Sequence, residues 1–355
     1  MRVLCYGAGA VGSLLGGRLS LAGVDVTLLG RVRHVAAVRT WGLLLEDPAG
    51  RARCKAVDSV TSLEDLRDPP DLIIVSVKSY DTPRALGELR PLLAGSRAVV
   101  LSVQNGVGNE EALAEVAGPD RTLAGALTVS VSLPRPGVVR QHTAGGGLGL
   151  APVGARAPVG EVAALFSRAG VATRVYPDYR AMKWSKLLLN LVTNASVAIL
   201  DLPPARVVAH PGLFRLERDA FREAVRVMRA FGLRAVSLPG YPVPALVSLM
   251  ASPPWIARPL LARRIGRGRG EKMPSLWQDL ERGKAQSEVE VLNGAVVREG
   301  GRLGEPTPVN RVLATVLGDL ARGTKRREDF RGNPDALLRL AYGIPPKGSS
   351  EPQET

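Results

Sequence analysis

The sequence G-A-G-A-V-G at residues 7–12 constrains the fold more than any other feature of the chain. It directly follows a short apolar run, 3–6, and opens a segment with helical periodicity, 10–22. In that context the first glycine permits a tight turn, the second lets the backbone approach a pyrophosphate, and the third allows close helix–strand packing. The loop therefore predicts a strand–turn–helix unit that binds a dinucleotide.

Short strand-like runs alternate with helical ones through the first half of the sequence. Strands are predicted at 24–29, 72–77, 98–103, 123–133 and 138–150, and helices at 82–92 and 108–117. Several of the strand runs are almost entirely apolar, which is typical of strands buried on both faces. The alternation predicts a parallel sheet with right-handed crossovers, and P-R-P-G at 134–137 predicts a turn between the last two strands.

From about residue 178 the sequence becomes mainly helical. Helices are predicted at 179–200, 213–231, 275–299 and 308–322. The first ends before D-L-P-P, because two prolines forbid its continuation. The segment 237–275 is rich in Pro and Arg and takes no clear assignment, and the polar, Pro-containing tail at 344–355 is predicted to be disordered.

The chain is strongly basic, with 47 Lys and Arg against 33 Asp and Glu and a formal net charge of +14. Such an excess suits nucleic acid, an anionic membrane surface, or an anionic cofactor and substrate. Aromatic residues are only 4% of the chain and do not interleave with the basic ones, which argues against nucleic acid. No stretch resembles the ~20 apolar residues of a spanning helix, so we expect no membrane partner.

Cysteine and histidine usage excludes two further classes of site. Cys5 and Cys54 are too few for a disulfide framework and lack metal-ligand spacing, so we expect reduced thiols in the cytoplasm. His34, His142 and His210 do not pair at ligand spacing. We therefore expect no metal site and no His-based catalytic triad.

The end of the second strand indicates which dinucleotide is bound. An NAD-selective site places an acidic residue there for the ribose 2′-hydroxyl. Here Asp25 comes too early, and Arg31 and Arg33 follow the strand instead. An arginine can bind a 2′-phosphate bidentately, so the prediction is NADP(H); the alternative is that both arginines merely cap the next helix.

Two sets of polar residues are candidates for the rest of the site. Lys78 and Asn105 each follow an apolar strand, where ligands of doubly wound sheets bind. Lys186, Asn190 and Asn194 are spaced by four in an otherwise apolar segment, which predicts one polar stripe on a helix. Burying such groups without partners is costly, so the stripe favours a polar cleft.

A lysine beside a nicotinamide suits carbonyl reduction. Its ammonium can hydrogen-bond the carbonyl oxygen, stabilise the developing alkoxide and donate a proton, while the cofactor supplies the hydride. A carboxylate usually orients such a lysine. The pattern does not rank the four candidates, which are Asp279, Glu281, Glu288 and Glu290.

The chain resembles the 2-dehydropantoate 2-reductase (ketopantoate reductase) family over nearly its whole length. The motifs that carry the resemblance include V-K-S-Y-D at 77–81, V-Q-N-G-V-G at 103–108, K-W-S-K-L-L-L-N-L-V-T-N at 183–194, S-L-W-Q-D-L at 275–280, S-E-V-E-V-L-N-G at 287–294 and P-T-P-V-N at 306–310. The resemblance implies an α/β Rossmann-type N-terminal domain at 1–176 and an all-α C-terminal domain at 177–343, the 6-phosphogluconate dehydrogenase-like arrangement. It also implies NADPH-dependent reduction of 2-dehydropantoate to pantoate, which feeds coenzyme A synthesis.

The resemblance assigns roles residue by residue. Lys186 falls on the family's proton donor, and Glu288 on the glutamate that binds the substrate and orients that lysine. Substrate contacts fall on Asn105, Asn190, Asn194 and Ser275. Cofactor contacts fall on Gly7, Ala8, Gly9, Ala10, Val11, Gly12, Arg31, Lys78 and Asn105, with Arg31 at the 2′-phosphate.

The sequence departs from the family pattern near the substrate positions. Residues 238–272 are longer and richer in Arg and Pro, Lys272 stands where an Asn is common, and Ser287 replaces a usual Thr. The substrate could therefore be another 2-keto acid, as for β-hydroxyacid or opine-type dehydrogenases. A non-catalytic NADP-sensing regulator is a second alternative, and the sequence leaves open whether the protein is a monomer or a homodimer.

Overall fold

The structure, a computed structural model, describes residues 1–268 and 273–343. It divides into two compact units. The N-terminal unit comprises Met1–Lys186 and Ala235–Val243, and the C-terminal unit comprises Leu187–Arg234 and the described residues from Pro244 onwards. Lys272 and the tail predicted to be disordered lie outside the described residues.

Two β-sheets form the N-terminal unit. Its strands are β1 (Arg2–Tyr6), β2 (Asp25–Leu29), β3 (Leu43–Asp47), β4 (Gly50–Cys54), β5 (Asp58–Val60), β6 (Leu72–Val75), β7 (Val99–Ser102), β8 (Thr122–Leu127), β9 (Val131–Arg135), β10 (Val138–Gln141), β11 (Leu148–Pro152) and β12 (Thr173–Val175). The larger sheet has the order β12-β11-β8-β7-β6-β1-β2-β5, and the smaller one β4-β3-β10-β9. In the larger sheet all neighbours are parallel except β8 and β11, so the predicted parallel sheet is confirmed.

Helices cover both faces of the larger sheet. They are α1 (Ala10–Leu21), α2 (Val32–Trp41), α3 (Thr82–Ala94), α4 (Asn109–Ala117), α5 (Val159–Arg168) and α6 (Tyr179–Leu191), which enters the C-terminal unit at Leu187. Alternate residues of β1 pack into two separate cores, Val3 and Cys5 into one and Leu4 and Tyr6 into the other. This alternation explains why strands of this sheet are apolar at nearly every position.

The region after β7 contains more strands than the sequence predicts. The predicted strands at 123–133 and 138–150 are wrong in extent, because each range holds two strands, β8 with β9 and β10 with β11. At the end of β8 the Thr128 N–H donates to the Gly147 carbonyl (2.8 Å), and the Thr128 hydroxyl accepts from the Gly147 N–H (2.9 Å). Gly146 has φ +106°, which a side chain would resist, and so permits the turn between β10 and β11. The smaller sheet was not predicted.

Residues 235–243 return from the second half of the chain to the N-terminal unit. Three hydrogen bonds fasten this segment. The Tyr176 hydroxyl donates to the Ser237 carbonyl (2.7 Å), the Thr128 hydroxyl to the Pro239 carbonyl (2.7 Å), and the Val236 N–H to the Ser185 hydroxyl (2.9 Å). The N-terminal unit is therefore built from two separate stretches of sequence.

The C-terminal unit is helical. Its helices are α7 (Ala195–Leu200), α8 (Pro204–Ala209), α9 (Pro211–Ala230), α10 (Val243–Ala251, whose first residue belongs to the N-terminal unit), α11 (Pro254–Gly268), α12 (Ser275–Glu281), α13 (Asn293–Leu303), α14 (Pro308–Arg322) and α15 (Pro334–Tyr342). The predicted fold class, an α/β domain followed by an all-α domain, is confirmed. Within the part of the chain that the structure describes, no helix combines the length and apolarity needed to cross a bilayer.

Two of the predicted long helices are wrong. The one at 179–200 is broken between α6 and α7, where Thr193 adopts φ +55°. The one at 275–299 is broken after α12, where Gly283 has φ +65° and its N–H binds the Leu280 carbonyl (3.0 Å), a usual way for a helix to end. A 3-10 turn at Glu288–Val291 precedes α13.

Candidate active site

The predicted cofactor residues of the N-terminal unit lie at one edge of the larger sheet. The strands β7, β6, β1 and β2 are consecutive neighbours and run parallel, so their carboxyl ends lie side by side. The loops that follow them carry Asn105, Lys78, the glycine loop and Arg31, in that order across the sheet. This is the edge at which open α/β sheets bind their ligands.

The glycine loop is tightly packed at Gly7 and Gly12 and open at Gly9. Gly7 has φ +105°, and a Cβ there would lie 2.7 Å from the Val77 side chain. A Cβ on Gly12 would lie 2.4 Å from the Ser76 hydroxyl and 2.5 Å from the Gly7 carbonyl. At Gly9, by contrast, the nearest atom to such a Cβ is 4.0 Å away, so the backbone is open to an approaching ligand.

The first helix begins at this loop without a side-chain cap. Gly9 is the N-cap residue of α1, no side chain bonds to the helix start, and no acidic residue lies in the first turn. The N–H groups of a first helical turn lack acceptors within the helix, and the helix dipole makes this end positive. Both properties favour an anionic ligand such as a pyrophosphate.

Arg31 occupies the N-cap position of α2 and is exposed, as is Arg33. The Arg31 side chain makes no capping hydrogen bond. A cation is unfavourable at a helix N-terminus, so capping does not account for an arginine at this position. Gly30 precedes it, and a Cβ there would lie 2.8 Å from that of Ala8 in the glycine loop. The end of β2 thus packs directly against the predicted pyrophosphate site.

A polar network fixes the loops that carry Lys78 and Asn105. The Asn105 carbonyl accepts hydrogen bonds from the Ser79 hydroxyl (2.8 Å) and the Asn109 amide (3.1 Å). Thr82 donates to Asn109 (2.9 Å) and accepts from the buried Gln104 amide (2.8 Å). Side-chain hydrogen bonds therefore hold the two loops together. They fix the backbone positions of Lys78 and Asn105 at the carboxyl-end edge of the larger sheet.

The helix α6 presents a narrow partly exposed face. From Ala181 to Asn190 every residue is buried except Lys186, Leu189 and Asn190, which lie one turn apart on the same face. This is the polar stripe that the sequence predicts, as far as Asn190. Asn194 does not continue it, because the helix is broken before that residue.

Lys183 lies one turn before Lys186 on α6 and is buried together with Glu110 of α4. Its ammonium nitrogen lies 2.8 Å from a Glu110 carboxylate oxygen, 2.6 Å from the Gln104 carbonyl oxygen and 3.4 Å from the Gly125 carbonyl oxygen. The side chains are 2% and 1% exposed. This ion pair therefore connects α6 to the loop that carries Asn105.

In the C-terminal unit a hydrogen bond places Asn194 beside the start of α12, next to Ser275. The buried Asn194 amide oxygen accepts from the N–H of Leu276 (3.3 Å), the neighbour of Ser275 at the start of α12. Ser275 is exposed. Two predicted substrate residues from distant parts of the sequence thus share one location.

The break between α6 and α7 is held by a buried carboxylate. Glu217 of α9 is 3% exposed, and it accepts hydrogen bonds from the Thr193 N–H (2.6 Å) and the Ser196 hydroxyl (2.5 Å). Thr193 is β-branched, and such residues rarely adopt a positive φ. Glu217 thus stabilises a strained residue that separates Asn190 from Asn194.

The structure distinguishes the four candidate carboxylates. Asp279 is buried in an ion pair with Lys284 (2.9 Å), and Glu281 pairs with Arg327. Glu290 is well exposed and lies 3.9 Å from Arg322. Glu288 is buried at the start of its 3-10 turn. Asp279, Glu281 and Glu290 each lie within ion-pair distance of a basic side chain, and Asp279 and Glu288 are the two buried carboxylates of the four.

Sequence reasoning missed the residues that support these sites. They are Ser76, Ser79, Thr82, Gln104, Asn109, Glu110, Lys183 and Glu217. The available signal was a charged or amide residue inside an apolar context, as for Lys183 in α6. The partner of such a residue lies far away in the sequence, so pattern alone does not identify it.

Comparison with known proteins assigns both halves of the chain to one family. The family described as ketopantoate reductase PanE/ApbA matches residues 3–153, and its C-terminal domain family matches residues 178–321. A 2-dehydropantoate 2-reductase from Halobacterium salinarum is 37% identical over 321 residues, covering 89% of this chain and 98% of the relative.

Solved structures agree with this assignment. The structure of a PanE/ApbA family ketopantoate reductase from Ralstonia eutropha has a TM-score of 0.77 and 34% identity, covering 92% of this chain and all of that one. A D-mandelate dehydrogenase with NADH and anilino(oxo)acetate shares the fold, with a TM-score of 0.78 at 22% identity, covering 91% of this chain and 99% of that one. The chain therefore belongs to the ketopantoate reductase family, whose members are nicotinamide-dependent oxidoreductases acting on a CH–OH/C=O group.

Proposed function

We propose that this chain reduces 2-dehydropantoate to pantoate with NADPH, as a cytoplasmic enzyme that feeds coenzyme A synthesis. The observation that carries the proposal is the match of both halves of the chain to the ketopantoate reductase family. The free, buried Cys5 and Cys54 are consistent with a reducing compartment.

NADPH is favoured over NADH by the end of β2. The uncapped start of α1 would bind the pyrophosphate through the backbone around Gly9, and Lys78 would add a positive charge from the neighbouring loop. The exposed Arg31 stands where an NAD-selective site places an acidic residue, and its guanidinium would bind the 2′-phosphate. When bound, NADPH supplies the hydride.

Lys186 is the proposed proton donor. Its ammonium would hydrogen-bond the keto oxygen, stabilise the negative charge that develops as hydride reaches C2, and give a proton to form the alcohol. Glu288 is proposed to bind the substrate and orient that ammonium. The substrate would be held by Asn105, Asn190, Asn194 and Ser275.

The substrate assignment is tested by steady-state oxidation of NADPH with ketopantoate and with a panel of other 2-keto acids. We expect the highest kcat/KM for ketopantoate. A much higher value for another acid would replace the substrate but keep the reaction class. No turnover with any acid, despite tight NADPH binding, would favour a non-catalytic sensor.

Replacing Lys186 tests the proton donor. The Lys186→Ala variant should lose about 10²–10⁴-fold in kcat, because general acid catalysis contributes on that order. NADPH affinity, measured by fluorescence titration, should change little. Lys325→Ala removes a partly exposed lysine that pairs with Asp319 and is the matched control. Equal rates in the two variants would contradict the assigned role.

Replacing Arg31 tests the cofactor assignment. Arg31→Ala should raise the KM for NADPH about tenfold or more while leaving that for NADH nearly unchanged, because only NADPH carries the phosphate that the guanidinium binds. Arg33→Ala provides the comparison, since it is equally basic and also exposed. A parallel change for both cofactors would show that Arg31 does not discriminate between them.

A further inference from the structure

We propose that Lys183 and Glu110 form a positioning pair that holds the start of α6 against the loop carrying Asn105, and so sets where Lys186 stands relative to the cofactor edge. The inference deepens the proposed function, and it rests on that function for the roles of Lys186 and Asn105. All the contacts that carry it lie within the N-terminal unit.

The Lys183 ammonium forms an ion pair with the Glu110 carboxylate (2.8 Å) and donates hydrogen bonds to the Gln104 carbonyl (2.6 Å) and, more weakly, to the Gly125 carbonyl (3.4 Å). These acceptors belong to α4, to the segment after β7, and to β8. The Lys183 side chain is only 2% exposed, so it is not accessible to a substrate and acts through the elements that it connects.

The contact with Gln104 reaches the predicted site directly. The carbonyl that Lys183 binds belongs to the peptide immediately before Asn105. The next carbonyl, that of Asn105 itself, is held by Ser79 and Asn109. Lys186 follows Lys183 by one helical turn. The Lys183 ammonium therefore sets the position of Lys186, the proposed proton donor, relative to the loop that carries Asn105, a proposed substrate and nicotinamide contact.

Stability alone does not account for a buried ion pair at this place. Removing both charges from water costs about as much as their attraction returns, and well-packed apolar residues often replace such pairs without loss. Apolar side chains, however, have no directional bond to a carbonyl oxygen. The pair thus provides a fixed distance between α6 and the strand end that hydrophobic packing does not specify.

A second ion pair on the same two helices serves as an internal control. Arg180 of α6 lies 3.6 Å from Glu111 of α4, with side chains 54% and 43% exposed. It joins the same elements through Glu111, and the Arg180 guanidinium also donates to the Tyr179 hydroxyl (3.1 Å). Exposed pairs of this kind contribute little to stability. Arg180→Ala should therefore leave the reaction unchanged.

The test compares Lys183→Met, the double variant Lys183→Met/Glu110→Leu, and Arg180→Ala. Lys183→Met leaves the Glu110 charge buried and unpaired, so both Tm and kcat should fall. The double variant removes that charge and should recover most of the Tm. Its kcat should stay about tenfold to a hundredfold below the wild type, with NADPH affinity nearly unchanged, because small displacements of a reacting group cost that much.

Hydrogen–deuterium exchange supplies a readout that needs no turnover. In the double variant the amides of residues 103–108 should exchange faster than in the wild type, while those of β1 should not. Glu110→Gln keeps the shape of the side chain and should lower kcat less than Lys183→Met. It keeps the proposal testable if the double variant does not fold. The pair would be merely structural if kcat followed Tm across all variants, or if the double variant had wild-type kcat and exchange.

The two proposals fail in different ways. If the wild type turned over no 2-keto acid, the proposed function would fail, and exchange at residues 103–108 would still decide whether Lys183 orders that loop. If the wild type reduced ketopantoate and the double variant did so equally fast, the positioning pair alone would fail.

Discussion

Each glycine of the loop between β1 and α1 has a different neighbour. Gly7 adopts a positive φ next to Val77, Gly12 packs against Ser76 and the Gly7 carbonyl, and Gly9 faces open space. The turn at Gly7 and the close packing at Gly12 were predicted from spacing alone, because a strand, a tight turn and a helix leave few ways to arrange the backbone, while the approach of a pyrophosphate at Gly9 stays a prediction. Ser76, whose hydroxyl holds the Gly7 carbonyl at 2.7 Å, was not predicted.

The glycines can be separated experimentally. Gly12→Ala should lower Tm clearly, since the added methyl would lie 2.4 Å from the Ser76 hydroxyl and 2.5 Å from a backbone carbonyl. Gly9→Ala should keep the Tm, because its φ of −83° suits alanine and the methyl meets nothing closer than 4.0 Å. It should instead weaken NADPH binding, measured by titration. A stable Gly12→Ala variant, or unchanged NADPH binding in Gly9→Ala, would contradict this reading.

Both cysteines should be unreactive in the folded protein. Burial raises the pKa of the Cys5 thiol to about 12 and that of the Cys54 thiol to about 11, so almost no thiolate forms near neutral pH. Labelling with a thiol reagent should proceed only as fast as the protein unfolds, and it should become rapid in denaturant. Fast labelling of either residue under native conditions would show that its burial is incomplete.

At the scale of elements, the break between α6 and α7 shows where sequence reasoning reaches its limit. The strands β6 and β7 and the helices α1 and α14 were predicted because apolar runs and helical periodicity are local signals. The break at Thr193 was not, because it depends on a carboxylate from α9 that no local pattern reveals. The same holds for Lys183 and Glu110. Positions of candidate polar residues were predictable, whereas the buried partners that orient them were not.

Glu217 should matter for both stability and substrate binding. Glu217→Ala leaves the Thr193 N–H and the Ser196 hydroxyl without their acceptor, which should cost about 2 kcal/mol or more. The positions of Asn190 and Asn194 relative to each other would also become less fixed. Because both are proposed substrate contacts, the KM for the keto acid should rise more than that for NADPH. Urea denaturation and steady-state kinetics measure the two effects.

A control for Glu217 is available on the same helix. Asp219 accepts a hydrogen bond from the Tyr342 hydroxyl (2.8 Å), away from the break. Asp219→Asn should reduce stability modestly and leave both KM values unchanged. If it raised the keto-acid KM as much as Glu217→Ala does, the effect would come from α9 as a whole.

One buried histidine should contribute to the pH dependence of the free energy of unfolding of the whole molecule. His34 of α2 accepts the Gly137 N–H at Nδ1 (3.1 Å), so the Nε2–H faces the Ser13 hydroxyl of α1 (3.1 Å). Burial lowers the pKa of His34 below its ordinary value of 6.5. Between the two pKa values the unfolded chain binds more protons, so this contribution is present above about pH 6.5 and is lost as the pH falls below it.

Urea denaturation from about pH 8 to about pH 5 tests this linkage. The wild type should lose free energy of unfolding as the pH falls below about 6.5, because the unfolded chain binds a proton at this histidine more readily than the folded protein does. His34→Gln keeps polar atoms near both partners but does not titrate, so its free energy of unfolding should fall less steeply. Parallel curves for the two proteins would assign the pH dependence to other groups.

The return of residues 235–243 to the N-terminal unit has a consequence for how the protein is made. A nascent chain emerges from the ribosome in sequence order, and domains generally fold as units, the N-terminal one first. Here the Tyr176 and Thr128 hydroxyls donate hydrogen bonds to the carbonyls of Ser237 and Pro239. The N-terminal unit is therefore incomplete until a segment translated after α7, α8 and α9 is available. Those three helices are already synthesised when the α/β unit can be completed, so we expect the folding of the two units to overlap in time.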